Sequence, residues 1–241
     1  MRKALFVAAL IAGGAALQAS AEVKEPMMNI SATGVVTAEP DQATIRFGVH
    51  STGLEAGEAM NLNKVSMNAA FGALQKAGIA STDITTTGLA LSPKYEHYSR
   101  NDGNTPPSIL GYEAHNNVSV TVSDLTSLGD VLDALVASGV NGIEQVSFGL
   151  KDSAPLEALA RTKAAQSARN KAEAYADAIG TKVTGVIAIS EQNGGKPVPY
   201  GHMESARSMS VASVPVSGGE MEVSVTVNVV FGLDGELAPF K

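Results

Sequence analysis

Nine residues near the C-terminus limit the possible folds of this chain more than any other stretch. Val223, Val225, Val227, Val229 and Phe231 alternate with Ser224, Thr226 and Asn228, and Glu222 extends the polar set. Successive side chains of a strand point to opposite faces, so this segment buries one face and wets the other. The same period recurs upstream. Ala43, Ile45, Phe47 and Val49 oppose Thr44, Arg46, Gly48 and His50. Tyr112, Val118, Val120 and Val122 oppose Glu113, His115, Asn117, Ser119 and Thr121, and Val146, Phe148 and Leu150 oppose Gln145 and Ser147. Residues 84–95 predict a further strand with Leu89, Leu91 and Tyr95 inward, and residues 30–38 another. One-sided burial of this kind describes antiparallel sheets covered by helices on one face.

Three helices fit the gaps. Residues 55–76 place Met60, Met67, Phe71 and Leu74 on one face, and Gly78 stops the helix. Residues 124–138 carry Leu125, Leu128, Leu132 and Leu135, with Ser123 as the expected N-cap and Gly139 past the end. The longest runs from about 154 to 179, with Ser153 as cap, Pro155 in its first turn and Gly180 at its end. Along it Ala160, Ala164, Ala168, Ala172 and Ala176 recur every fourth residue, flanked by Leu156, Tyr175 and Ile179. A stripe of small side chains lets a backbone approach closely, so it is expected to form an internal packing seam. Arg161, Lys163, Arg169 and Lys171 fall off the stripe, as a solvated face.

The order across 41–151 is strand, helix, strand, strand, helix, strand, the ferredoxin-like βαββαβ succession. Residues 153–231 add helix, strand and strand, joined by the strand at 30–38. The expected fold class is α+β, with two interlocked lobes at about 41–151 and at about 30–38 plus 153–231. The stretches 99–108 and 192–219 are rich in Gly, Pro, Ser and Asn and read as exposed loops. The second exceeds the usual loop length, which marks it for function or disorder.

The N-terminus reads as an export leader of residues 1–21. Met1, Arg2 and Lys3 precede an apolar run from Ala4 to Leu17, and Ala19, Ser20 and Ala21 offer a cleavage site before Glu22. The run falls short of the roughly 20 residues that a bilayer span needs, and Gly13 and Gly14 interrupt it. The chain has no cysteine. That excludes disulfides, thiol catalysis, cysteine-ligated metals and a lipoprotein anchor. The expectation is a soluble periplasmic protein of residues 22–241 without a transmembrane segment, compatible with peripheral outer-membrane association. With 17 basic against 24 acidic side chains the net charge is −7, and loss of Arg2 and Lys3 makes it more acidic. Nucleic acid and anionic lipid are poor partners for such a surface. The absence of Trp disfavours a sugar-stacking platform.

No catalytic, cofactor-binding or metal-ligating residue is assigned. The four histidines are His50, His97, His115 and His202, and none has a second histidine or clustered carboxylate at metal-ligand spacing along the sequence. His50 and His115 lie on polar strand faces, where a solvated imidazole is ordinary; His97 and His202 lie in loops. No Gly-x-Ser-x-Gly elbow is present. Gly194, Gly195 and Lys196 fail as a phosphate loop, because Ser190 stands where the first glycine belongs and Pro197 where Ser or Thr should bind magnesium. Asp130 and Asp133 sit on an exposed helix face, and Met203 and Met209 are loop hydrophobes before they are oxidisable groups.

An ordered set of short motifs runs through the chain. Ile30 to Gly34 leads into Ala38, Glu39, Pro40 and Asp41, followed by Ala77, Gly78 and Ile79 with Asp83, Ile84 and Thr85. Leu91 to Tyr95 comes next, then Gly111 and Tyr112, then Asp124 and Leu125 ahead of Gly139, Val140 and Asn141. Ala172 to Gly180, and Ser217 to Glu220 before Val223, complete the set. In order and spacing the chain resembles the SIMPL-domain family, which includes periplasmic immunogenic proteins and proteins linked to oxidative-stress defence. The resemblance implies a two-part α+β fold, an envelope location and homo-oligomeric assembly, and it implies no catalytic residue set. The expected function is that of a non-enzymatic periplasmic assembly or interaction protein in oxidative or envelope stress defence. Its partner would be itself, as a homo-oligomer or ring, with an envelope protein partner or client besides. The alternative is a periplasmic ligand-binding or chaperone-like module.

Overall fold

The computed structural model describes residues 26–96, 108–192, 197–199 and 216–235. The leader, His97, His202, Met203, Met209, the Gly194–Lys196 segment, the 99–108 loop up to residue 107 and most of the 192–219 loop lie outside these residues.

The strands are β1 (Met27–Ala38), β2 (Gln42–Gly53), β3 (Ile84–Tyr95), β4 (Ile109–Val122), β5 (Gly142–Gly149), β6 (Val183–Gln192), the two-residue β7 (Val198–Pro199) and β8 (Met221–Leu233). The helices are α1 (Ala56–Lys76), α2 (Leu128–Ala137) and α3 (Ala154–Ile179). Each strand pairing is antiparallel, so the chain is α+β, as its alternation requires. None of the described helices is long and apolar enough to cross a membrane.

Two sheets divide the strands. One has the order β3-β4-β2-β5, and α1 and α2 pack on its apolar face. Its core is the inward set of the two central strands. Ala43, Ile45, Phe47, Val49, Val118, Val120 and Val122 meet Met67, Ala70 and Leu74 of α1 and Leu128, Val131, Leu132 and Leu135 of α2. The stripe that α1 buries is Ala59, Asn63, Met67, Ala70 and Leu74, with Phe71 packed at its margin; Met60 stays half-exposed. Asn63 is the buried polar member. Its side-chain amide donates to Val49 O at 2.8 Å and to Ala114 O at 3.3 Å, tying the helix to both central strands.

The second sheet has the order β1-β8-β6, with β7 beside β8. It is covered by the alanine stripe of α3: all five alanines are buried, four of them against Ile30, Ala32, Val225, Val227, Val229 and Phe231. Gly34 shows how tight the seam is. A Cβ placed there would come within 2.1 Å of Ala160 O and 2.4 Å of Ala164 N, both backbone atoms that cannot swing aside. The flanking side chains do not join the seam, for Tyr175 and Ile179 are exposed at its far end. Gly180 ends α3 in the left-handed conformation that glycine adopts without strain.

Three expectations are corrected. Leu89, Leu91 and Tyr95 are not inward: all three are exposed, because β3 is an edge strand while the helical layer lies over β2 and β4. Ser123 is not the cap of the second helix. Asp124 accepts from the Thr126 amide at 3.0 Å and from its hydroxyl at 2.6 Å, closing a 3-10 turn at Leu125–Ser127 before α2 starts at Leu128. Those bonds hold the Asp124 carboxyl below its ordinary range. Ser153 makes no capping bond either; its hydroxyl donates to Glu157, and Asp152 accepts from the Ala154 amide.

The seam yields a stability prediction. Ala168→Leu pushes extra methylenes into a face with no room and should destabilise by about 1–3 kcal/mol in chemical denaturation. Gly34→Ala should lower the midpoint as well, because it meets backbone. A wild-type midpoint in both variants would mean that α3 does not rest on β1.

Candidate functional site

The face of the larger sheet turned away from the helices is polar, and β2 and β4 form its centre. Their register sets Phe47 opposite Val118 on the buried side and His50 opposite His115 on the open side. Glu113 precedes His115 by two residues and therefore shares its face. The two imidazoles stack, with ring centroids 4.2 Å apart and planes inclined by 17°. Both Nε2 atoms approach the same carboxylate oxygen, Glu113 Oε2, at 3.7 Å from His50 and 3.9 Å from His115. The other oxygen, Oε1, faces Lys94 Nζ of β3 at 3.2 Å.

This cluster is open and electrostatically ordered. The imidazoles are 42% and 48% exposed and Glu113 26%, so solvent reaches all three while the carboxylate sits deepest. The hydrogen bond from Lys94 is the main reason that Glu113 is held below the usual carboxylate range; the charges of Lys94, His50 and His115 add to it, and partial desolvation opposes it. Asn141, just ahead of β5, braces His50 through the backbone. Its Oδ1 accepts from the His50 amide at 2.9 Å, and its Nδ2 donates to the His50 carbonyl at 2.7 Å. Gly48, Asn117, Gly142 and Glu144 line the shallow groove beside the rings.

His50 and His115 thus lie on polar strand faces as the alternation places them, yet they are not isolated. Their partnership is invisible along the sequence because it depends on register between strands 65 residues apart. The one local signal is the pair Glu113 and His115, two residues apart on a strand, where donors project from the same side. Among the described residues, His50, Glu113 and His115 form the one group of three such side chains whose ligand atoms converge.

Two further surfaces stand out. The edge strand β6 is exposed from Thr184 to Gln192, with Val186, Ile187 and Ile189 at 60%, 55% and 61%. The edge strand β3 is exposed from Thr85 to Tyr95, and the neighbouring Ile109 and Leu110 of β4 lie half in solvent. Between β3 and α1 runs a groove lined by Met60, Asn63, Met67, Phe71, Leu89 and Asn116. The buried Asn116 Oδ1 finds no donor among the described residues.

The architecture defined here is a two-sheet α+β domain whose smaller sheet lies on one alanine-faced helix. A family model described as "SIMPL: Protein of unknown function (DUF541)" matches residues 28–231, nearly all the described chain, and the chain belongs to this SIMPL family. It is 32% identical over 206 residues to the 26 kDa periplasmic immunogenic protein of Brucella melitensis, covering 84% of this chain and 82% of the relative. It is 29% identical over 241 residues to the uncharacterized protein YggE of Escherichia coli, covering 96% and 94%. The YggE protein of Edwardsiella ictaluri is 31% identical over 180 residues, 74% of each chain.

The ion pair on the polar face yields a pH prediction. Glu113 titrates lower in the folded chain than unfolded, so the pairing stabilises the fold above the unfolded carboxylate value. That stabilisation is lost as pH falls through the lower, folded value. NMR titration of the Glu113 carboxyl should place its midpoint below the ordinary value of a glutamate side chain. Lys94→Met should raise it, and an unmoved midpoint would show that Lys94 is not its partner.

Proposed function

We propose that the chain is a non-enzymatic protein of the cell envelope, exported by a cleaved leader of residues 1–21, that works by assembling with copies of itself. The observation that carries this reading is the pair of bare, apolar edge strands. Among the described residues, β6 and β3 each have one edge without a strand partner along ten or more residues, together with exposed Val186, Ile187, Ile189, Leu89 and Leu91. An exposed apolar edge readily takes up another strand, and soluble proteins seldom leave one bare without a purpose. Pairing with a second copy covers the backbone and the side chains at once, and closed symmetry halts growth at a defined number of subunits.

The periplasmic setting is supported by the leader-like N-terminus and by the 26 kDa relative, whose name calls it a periplasmic protein. The role in oxidative or envelope stress defence rests on the family resemblance. A second reading, a ligand-binding or chaperone-like module, draws on the groove between α1 and β3. Its apolar walls and the unpartnered Asn116 oxygen suit an extended apolar segment carrying one donor.

Light scattering on residues 22–241 at micromolar concentration tests the assembly. A mass several times that of one chain is expected. The double variant Val186→Lys/Ile189→Lys, which charges the bare edge, should reduce it stepwise towards a single chain without unfolding the subunit. A wild-type mass of one chain, constant on concentration, would leave the monomeric binding module as the better account. The leader is checked separately by intact mass: the envelope-extracted chain should begin at Glu22.

A further inference from the structure

We propose that His50, His115 and Glu113 form a binding site for a divalent transition-metal ion of the imidazole-seeking kind, zinc or copper. The proposal is independent of the assembly reading, since it rests on the open face of the larger sheet and not on its edges.

Geometry comes first. The ligand atoms of the three side chains all lie within 4.8 Å of one another. Bonds of about 2.0–2.2 Å to nitrogen and oxygen place neighbouring ligands of one ion roughly 3–3.5 Å apart. The histidine nitrogens stand 3.7 and 3.9 Å from Glu113 Oε2, and each ring must tilt out of the near-parallel stack for the two lone pairs to converge on one ion. Those rotations meet little resistance, because both imidazoles are half in solvent. The backbone beneath them is rigid: β2 and β4 are the two central strands of their sheet and pair without a break from Ala43 to Gly53.

The surroundings match the needs of a metal. Lys94 engages Glu113 Oε1 and leaves Oε2 directed at the two nitrogens, as an outer partner orients a ligating carboxylate. Asn141 fixes His50 through both of its backbone groups. Glu144 borders the same groove, outside the group whose ligand atoms converge. Two neutral imidazoles and one carboxylate favour zinc or copper over magnesium or calcium, which seek oxygen cages. One side of the cluster faces solvent, so the remaining positions on the ion are open to water.

The test is calorimetric titration of chelator-stripped residues 22–241 with zinc chloride, and then with copper chloride, near neutral pH. One equivalent per chain is expected. His50→Gln and His115→Gln should each weaken binding about tenfold or more, as should Glu113→Gln, which keeps both imidazoles and the shape of the carboxylate. A His97→Gln/His202→Gln variant should bind like the wild type, because the proposed ligand set does not include these residues. Nitrogen-15 ring spectra of the unmodified protein give a readout that needs no variant: zinc should shift the His50 and His115 signals first. Unchanged affinity in His50→Gln/His115→Gln, or zinc shifting only other histidines, would overturn the proposal. So would a wild-type chain that takes up neither ion.

Discussion

Phe47 can meet Val118 only if Ile45 meets Val120 and Ala43 meets Val122, and much of the larger lobe follows from that pairing. A slip of one residue would turn Arg46 and His50 into the helical layer and Phe47 out to water, exchanging a dry core for buried, unpaired charge. The register is therefore held by the core beneath it. Asn63 adds a second hold, because its amide spans from β2 to β4 and accepts no substitute position along the helix. The same constraint works on the outer face, where it delivers His50 to His115 and lays Glu113 beside them. The chemistry of that face is a by-product of how the apolar face packs.

The smaller sheet is governed by closeness instead of bulk. Glycine and alanine on β1 face alanines on α3, and the backbones come near enough to exclude even a methyl at Gly34. The basic residues of α3 are then within reach of the sheet edge. Lys163 donates to the Val35 carbonyl at 3.1 Å and Lys171 to the Ser31 carbonyl at 3.2 Å. These lysines occupy acceptors of β1 that a foreign strand would need, a common way to guard an edge. On the opposite edge, Arg161 reaches across to Glu191 at 3.0 Å, but among the described residues the apolar middle of β6 has no such guard. The two edges of one sheet are thus unequal: lysines engage acceptors along one, and the other lies exposed.

The alternation of Val, Ile and Phe made the strands legible, and the alanine period made the α3 seam legible, because both are short-range patterns with a single geometric meaning. Leu89, Leu91 and Tyr95 misled for a physical reason: alternation states that two faces differ but not whether a helix covers either one. Ser123 and Ser153 misled because a carboxylate one residue away, Asp124 or Asp152, is the group that accepts the backbone amide. Of the polar-face cluster only the Glu113 and His115 pair, two residues apart, left a local trace. His50 and His115 each look like an ordinary wet residue until the strands are aligned, and alignment is a property of the folded sheet, not of either segment. The lysines of α3 were legible as polar but not as guards, since that role needs the position of β1.

The pairing of β1 with β8 has a consequence for how the molecule comes into being. Thr33 and Thr226 share a hydrogen bond at 2.8 Å although 193 positions separate them. Among the described residues β1 has β8 as its one strand neighbour, and α3 rests on the ribbon the two form. The larger lobe, closed between β2 and β5, includes neither strand. Its contacts lie within one continuous run of chain, so it can close before β1 and β8 meet. The smaller sheet is in effect a clasp, shut when β8 reaches β1. Any chain ending before Met221 would carry a finished half and a loose β1, with its apolar side unprotected.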